Sequence, residues 1–256
     1  MTSGPPDDHG LARTLAVRAG ERLLEVRAAS PPSMPGDRLK SIGDAAAQEV
    51  LSIALRALAP DDAVLSEEAP DDHARLRSDR VWIIDPLDGT REFSERPRDD
   101  WAVHVALWER GHLVAGAVAL PARGQVFSTG EVGALPGRPR SGPLRLAVSR
   151  SRPPALVTAL AERLGAALVP MGSAGVKAMA VVEGTADAYV HAGGQYEWDS
   201  AAPVAVAQAY GLHCSRVDGS PLVYNSESPW MPDLVVCSPE VADELLNGLA
   251  ALKIGG

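Results

Sequence analysis

VWIIDPLDGT, residues 81–90, is an apolar run that stops abruptly in acid, proline and glycine. Val81 to Ile84 is short, fully apolar and of high strand propensity, which predicts a buried strand; DPLDGT predicts the turn that ends it. A strand anchored in this way fixes Asp85 and Asp88 at its exposed end, and Pro86 limits the conformations that the turn can sample. Two carboxylates so close repel each other unless a hard cation or a proton compensates them. Gly89 and Thr90 add an unencumbered backbone amide and a hydroxyl, both suited to a phosphate oxygen or a metal-bound water. The plain alternative is an Asx-rich turn capping a helix.

Two distant segments favour the chemical reading. Ala63 to Ser66 reads as a strand whose end delivers Glu67 and Glu68, and YEWDSAA sets Asp199 beside Trp198 at the start of an apolar helix. There Asp199 serves either as an N-cap or as a further arm of a metal site. Between these segments EEAPDDHARLRSDR holds too few core residues for an element of its own and reads as a surface excursion.

Working outward, residues 11–28 and 44–58 carry amphipathic helical patterns separated by the Pro-rich ASPPSMPGD. Trp101, Val103, Val105 and Leu107 recur at period two, GHLVAGAVAL follows beyond a turn, and residues 125–129 add a third strand, so an antiparallel arrangement is expected. The second half alternates: strands over 144–148, 167–169, 186–190 and 234–237, helices over 154–164, 174–183 and 199–210, and a last helix running to Leu252 with Ser238 and Pro239 at its start. The loop LPGRPRSGP suggests a boundary near residue 140, giving an N-terminal α+β lobe (1–140) with most of the acidic site and a C-terminal α/β lobe (141–256) with Asp199 and the substrate wall.

With 256 residues the chain can bury a sizeable core without disulfide or zinc staples. A formal charge of -9 works against long polyanions, so no nucleic-acid polymer is expected as a partner, although recruited cations can bring in a small anion. Six His and two Cys form no CxxC, HExxH or zinc-finger spacing, and the two Cys read as buried thiols of a reducing compartment. The acidic, proline-bearing start lacks a secretory pattern and no segment has the uninterrupted apolar length of a membrane helix. A cytoplasmic protein with no membrane partner is therefore expected. GxGxxG, GxxxxGK[ST] and GxSxG are all absent, which weighs against dinucleotide binding, P-loop chemistry and serine hydrolysis.

From KSIGD at residue 40 to WDSAA at residue 198 the chain resembles the inositol monophosphatase-like superfamily, and within it the CysQ-type 3'(2'),5'-bisphosphate nucleotidases. DPLDGT with SEE upstream and WD-x-A-A downstream carries the resemblance. It implies a mixed α/β and α+β fold, a layered α-β-α-β-α sandwich, and a lithium-sensitive phosphatase using two or three Mg2+ ions, with Mn2+ able to substitute. By the same resemblance Glu67 binds metal and orients the attacking water, Asp85 is shared between two ions, the Leu87 carbonyl binds the first, and Asp88 and Asp199 hold the second. Asp44 resembles the acidic partner of Thr90 in activating the nucleophile. Ser41 stands where the family usually has Thr, and Pro203 where many relatives have Gly.

On the substrate side, Gly172 and Ser173 precede a helix and could present amides to an anion, with Lys177 one turn on. Either Lys177 faces this site or it is an ordinary solvent-exposed lysine. Glu183 and Asp187 read as structural, and Tyr189 and Trp198 as core aromatics. Arg91 in GTREF, and Ser149, Arg150 and Arg152 in VSRSRPP, resemble the CysQ-type segments that would receive a distal phosphate, together with Asp88, Gly89, Thr90 and Asp199. Arg91 could instead pair with Glu92 or Glu95. The expected substrate is a small phosphorylated molecule, adenosine 3',5'-bisphosphate cleaved to AMP and phosphate in connection with sulfate assimilation. The alternatives are inositol monophosphatase or fructose 1,6-bisphosphatase activity, or a degenerate noncatalytic regulator. The sequence leaves monomer and homodimer both open.

Overall fold

The computed structural model describes residues 7–71, 73–135 and 142–253. Helices α1 (Asp8–Ala29) and α2 (Gly36–Leu58) come first, followed by β1 (Ala63–Ser66), β2 (Arg80–Asp88), the short α3 (Thr90–Ser94), β3 (Ala102–Glu109), β4 (His112–Leu120) and β5 (Gln125–Ser128). The second half contributes β6 (Arg145–Ser149), α4 (Ala155–Leu164), β7 (Ala167–Met171), α5 (Ala174–Val182), β8 (Ala188–Tyr196), α6 (Glu197–Ala209), β9 (His213–Ser215), β10 (Trp230–Cys237) and α7 (Ala242–Lys253). The boundary expected near residue 140 falls within 136–141, outside the described residues.

Two five-stranded sheets result, ordered β1-β2-β3-β4-β5 and β7-β6-β8-β10-β9. In the first, β1 and β2 are parallel and the remaining pairs antiparallel. The period-two pattern of β3 has a direct use: Trp101, Val103, Val105 and Leu107 pack with α1 and α2, whereas Ala102 and Ala106 face a second core shared with α5 and α6. That second core also takes Tyr189, Leu234 and Val236 from the other sheet, whose far side packs on α4 and α7. The layers are therefore α1/α2, sheet, α5/α6, sheet, α4/α7, the expected five-layer sandwich. A glycine on α5 lets that helix come close to β3: a Cβ on Gly175 would lie 2.2 Å from His104 Nε2.

Several boundaries differ from the sequence reading. Helix α2 begins eight residues early, directly after Pro35, because Gly43, an unfavourable residue in a helix by propensity, is where the helix packs closely on Phe93 and Leu87. Strand β8 continues through HAGGQY, whose glycines mask its strand character, and β9 was not expected at all. The stretch after Glu68 is more than a surface excursion. It contains a 3-10 turn, Ala74–Arg77, and buries Arg75 to 1 % exposure.

Candidate active site

The expected DPLDGT turn is strand as far as Asp88. The β2–β3 register carries Asp85 opposite His104 and Asp88 opposite Ala102, one extra residue on β2. Pro86 cannot donate to the ladder, and a bulge accommodates it. The chain turns only at Gly89, with φ +84°, where a Cβ would meet Ser173, Asp100 and Trp101 at 3.2–3.3 Å. Glycine alone suits both the angle and the space.

This bulged end is where the acidic residues converge. Oxygens of Asp85, Asp88 and Asp199 all lie within 4.8 Å of one another. Glu67 joins from the end of β1, its N–H donating to the Ile84 carbonyl at 3.4 Å and its carboxyl sharing a hydrogen bond with Asp85. Asp85 Oδ1 also accepts the Leu87 N–H at 3.0 Å, which shapes the bulge and leaves the Leu87 side chain in the core. Asp88 is anchored through one oxygen: Oδ2 accepts from the Ser173 hydroxyl and from Gly175 N (2.8 Å), with His104 Nε2 3.3 Å away. Asp199 is residue three of α6, not its N-cap, and its Oδ2 accepts the N–H of Tyr196, the true cap, at 2.6 Å. Pro203 sits inside α6 without disturbing its start. Having no N–H, it leaves the Asp199 carbonyl without the usual helical donor.

The electrostatics of the cluster are unbalanced. Desolvation, then the charges of Asp199 and its neighbours, push Glu67 up to about 7. Desolvation, followed by Glu67 and Asp88, pushes Asp85 well above the carboxylate range. Burial and then Asp88 raise Asp199 to about 6. Asp88 is the exception: desolvation raises it, but His104, Lys177 and Ser173 outweigh that and hold it at about 2. Hard-oxygen donors packed so closely that burial and mutual repulsion raise the pKa of three of the four are the donor set a divalent ion of the Mg2+ or Mn2+ type requires. The residues present therefore fit such an ion.

Asp44 stands on α2 one residue after Gly43, which packs directly on Leu87 and Phe93 below the bulge. Burial and then Glu68 raise its carboxyl to about 7. Thr90 opens α3, and among the described residues no hydrogen bond joins it to Asp44. Lys177 is no exposed lysine. It is buried, its Nζ donates to the Ser173 carbonyl at 2.5 Å, and it lies 5.2 Å over the Tyr189 ring, with burial lowering its pKa. Tyr189 is a core aromatic and Trp198 is partly buried, both as expected. Asp187 pairs with Arg145, and Glu183 accepts from Gln125.

The anion-binding expectations fare differently. Gly172 gives its N–H to Asp100 Oδ2 at 2.7 Å, so that amide is already engaged, while Ser173 caps α5 through Val176 N and holds Asp88. Arg91 Nε pairs with Glu95 at 2.9 Å along α3. Arg150 is clamped between Glu92 (2.7 Å) and Glu95 (2.8 Å), which ties the end of β6 to α3. Ser149 Oγ accepts the Arg152 N–H at 3.3 Å, and Arg152 is exposed.

Two features of the site went unread in the sequence. His104 is wholly buried between Asp88 and the Trp198 carbonyl, which lies 3.1 Å from Nδ1. A lone histidine among alanines on one face of β3 was the available signal. Arg75 binds Asp71 (2.7 Å), Asn225 Oδ1 (2.7 Å) and the Ser226 carbonyl (2.9 Å). The N–H groups of Asn225 and Ser226 in turn hold the buried Glu197 carboxylate at 2.7 and 2.9 Å. The loop after Glu67 is thus latched to the first turn of the helix that carries Asp199. Its components are 150 residues apart, so no local pattern announces it.

Residues 13–252 match the model of the inositol monophosphatase family, and the chain belongs to that family. It is 56 % identical over 241 residues to the 3'-phosphoadenosine 5'-phosphate phosphatase of Mycobacterium tuberculosis, covering 91 % of this chain and 89 % of that one. It is 32 % identical over 232 residues to the 3'(2'),5'-bisphosphate nucleotidase CysQ of Escherichia coli K12, covering 85 % and 94 %. Among solved structures, CysQ from Bacteroides thetaiotaomicron superposes with a TM-score of 0.73 at 27 % identity, covering 89 % of this chain and 96 % of that one. Among the described residues no helix is long and apolar enough to cross a membrane.

Proposed function

We propose that this chain is a divalent-cation-dependent phosphatase that removes the 3'-phosphate of adenosine 3',5'-bisphosphate, giving AMP and inorganic phosphate, a reaction connected with sulfate assimilation. The observation that carries the reading is the convergence of Glu67, Asp85, Asp88 and Asp199 without matching cationic side chains. Similarity to the named phosphatases supports the choice of substrate.

Glu67, Asp85, the Leu87 carbonyl, Asp88 and Asp199 would hold two or three Mg2+ ions, with Mn2+ satisfying the same donors. Bound there, the ions supply charge neutralisation at the phosphoryl oxygens, acidification of water and stabilisation of the departing oxygen. The protein's own part is positioning. Ser173 and Gly175 fix Asp88 through one oxygen, and the Tyr196 N–H orients Asp199. Asp44, with its raised affinity for a proton, and Thr90 are suited to relay the proton released by the attacking water. Lys177 brings a buried amino group to the phosphate side. Arg152 is the exposed cation near a distal phosphate, because Arg150 and Arg91 are already paired with glutamates.

Phosphate release by the purified chain with Mg2+ tests this directly. Adenosine 3',5'-bisphosphate should give a higher kcat/KM than inositol 1-phosphate or fructose 1,6-bisphosphate. A clear preference for either of the latter would overturn the substrate assignment.

A further inference from the structure

Among the described residues only two Trp, Tyr or Phe side chains stand well out in solvent, Tyr196 (46 % exposed) and Trp230 (51 %). They are register partners at the end of the β8–β10 pair. Tyr196 lies three residues before Asp199 and gives that carboxylate its backbone N–H. On one side its ring stacks against Trp198, centroids 4.6 Å apart and planes 12° from parallel, and Trp198 is packed into the central core. Trp230 lies against Gly194, where a Cβ would come within 2.6 Å of the indole Nε1 and where φ is +95°. One indole, a bare glycine and a stacked Tyr–Trp pair therefore form a shelf adjoining the acidic cluster.

We propose that this shelf seats the nucleobase of the substrate, with Tyr196 as its stacking surface, while the 3'-phosphate lies at the carboxylates. The inference rests on the nucleotide reading given above. Scattered exposed aromatics need no explanation, but two of them paired across strands beside a metal-ligand candidate form a patch of the kind that binds something flat and apolar. A planar base has a π-face to offer and gains about 10-fold to 100-fold in affinity from one such stack, whereas inositol and sugar phosphates have none. Trp198 holds the Tyr196 ring in place before the ligand arrives, so little side-chain freedom is lost on binding.

The test compares kcat/KM for adenosine 3',5'-bisphosphate with that for ribose 3,5-bisphosphate, which has the same phosphates and no base, within each variant. Because the ratio is taken on one preparation, loss of folded enzyme cancels. Tyr196→Ala should lower the ratio about 10-fold or more, chiefly through KM for the nucleotide. Tyr196→Phe should preserve it, and Trp230→Ala should lower it less. If the unmodified enzyme prefers the nucleotide to inositol 1-phosphate and Tyr196→Ala leaves the ratio unchanged, the shelf proposal is overturned while the nucleotidase reading stands. If the unmodified enzyme prefers inositol 1-phosphate, the nucleotide reading falls and the shelf falls with it.

Discussion

Strand β2 has two charged ends, and they solve opposite problems. At its start, Arg80 donates to Asp62 (2.9 Å) and Asp8 (2.8 Å), with Glu109 at 3.6 Å. Asp62 is further engaged by the Trp82 indole at 2.8 Å. Here the protein supplies its own cation, and the pairing raises the Arg80 pKa. At the other end Asp85 and Asp88 meet Glu67 and Asp199, and the buried Lys177 and the His104 imidazole, both directed at Asp88, are too little for four carboxyls. The first end is a finished ion-pair network that ties α1 to the sheet. The second is finished only when something else brings charge, which separates a structural acidic cluster from a chemical one.

The largest effect should come from the unbalanced end. Asp85→Asn or Asp199→Asn should lower turnover about 1,000-fold or more, several kcal/mol of transition-state stabilisation. Because burial penalises the charged form of both carboxyls, the amide should leave the cation-free melting temperature unchanged or raise it. A folded Asp199→Asn protein with near-normal phosphate release would abolish the distinction between the two ends.

Next comes the Arg75 latch. Arg75→Ala empties a buried position, leaves the half-buried Asp71, Asn225 and Ser226 carbonyl without their partner and should cost about 3 kcal/mol, seen as a lower midpoint in urea. It should also raise the Mg2+ concentration for half-maximal activity about 10-fold, since supporting contacts of this kind orient metal ligands. An unchanged Mg2+ dependence would reduce Arg75 to a stabilising role.

At the balanced end, Arg80→Ala should cost roughly 1–2 kcal/mol, because the guanidinium is partly exposed, and should leave kcat intact. A loss of turnover without loss of stability would contradict the division of labour along β2.

The smallest effect concerns pH. Asp44 and Glu67 at about 7, Asp199 at about 6 and the elevated Asp85 all lie above their unfolded values near 4. Between about pH 4 and 7 the folded, cation-free chain binds more protons than the unfolded one, so stability from these groups is full below about pH 4 and declines as pH rises through 6–7. Added Mg2+ competes with those protons and should raise the melting temperature by a few degrees more at pH 8 than at pH 5. An equal gain at both values would mean that cations bind elsewhere.

The local chemistry of the chain was sufficient for most of the architecture and for the acidic residues. Periodicity marked α1 and the strands of the first sheet, and DPLDGT, SEE and WDSAA were legible because strand ends, prolines and clustered carboxylates act through neighbours in sequence. What sequence could not decide was which charges had already found partners. Arg91 read as a phosphate receiver or as a partner of Glu92 or Glu95, and Arg150 as a phosphate receiver or a solvated side chain, until the fold set Glu95 beside the first and Glu92 and Glu95 beside the second. Lys177 read equally well as surface or site until α5 was enclosed between two sheets. His104, the Arg75 latch and the Tyr196–Trp230 pair depend on contacts across 94 or 150 residues or on strand register. Propensity and spacing are local properties. Burial and charge compensation belong to the tertiary structure, because an ionised group is judged by whatever the rest of the chain brings within a few ångströms of it.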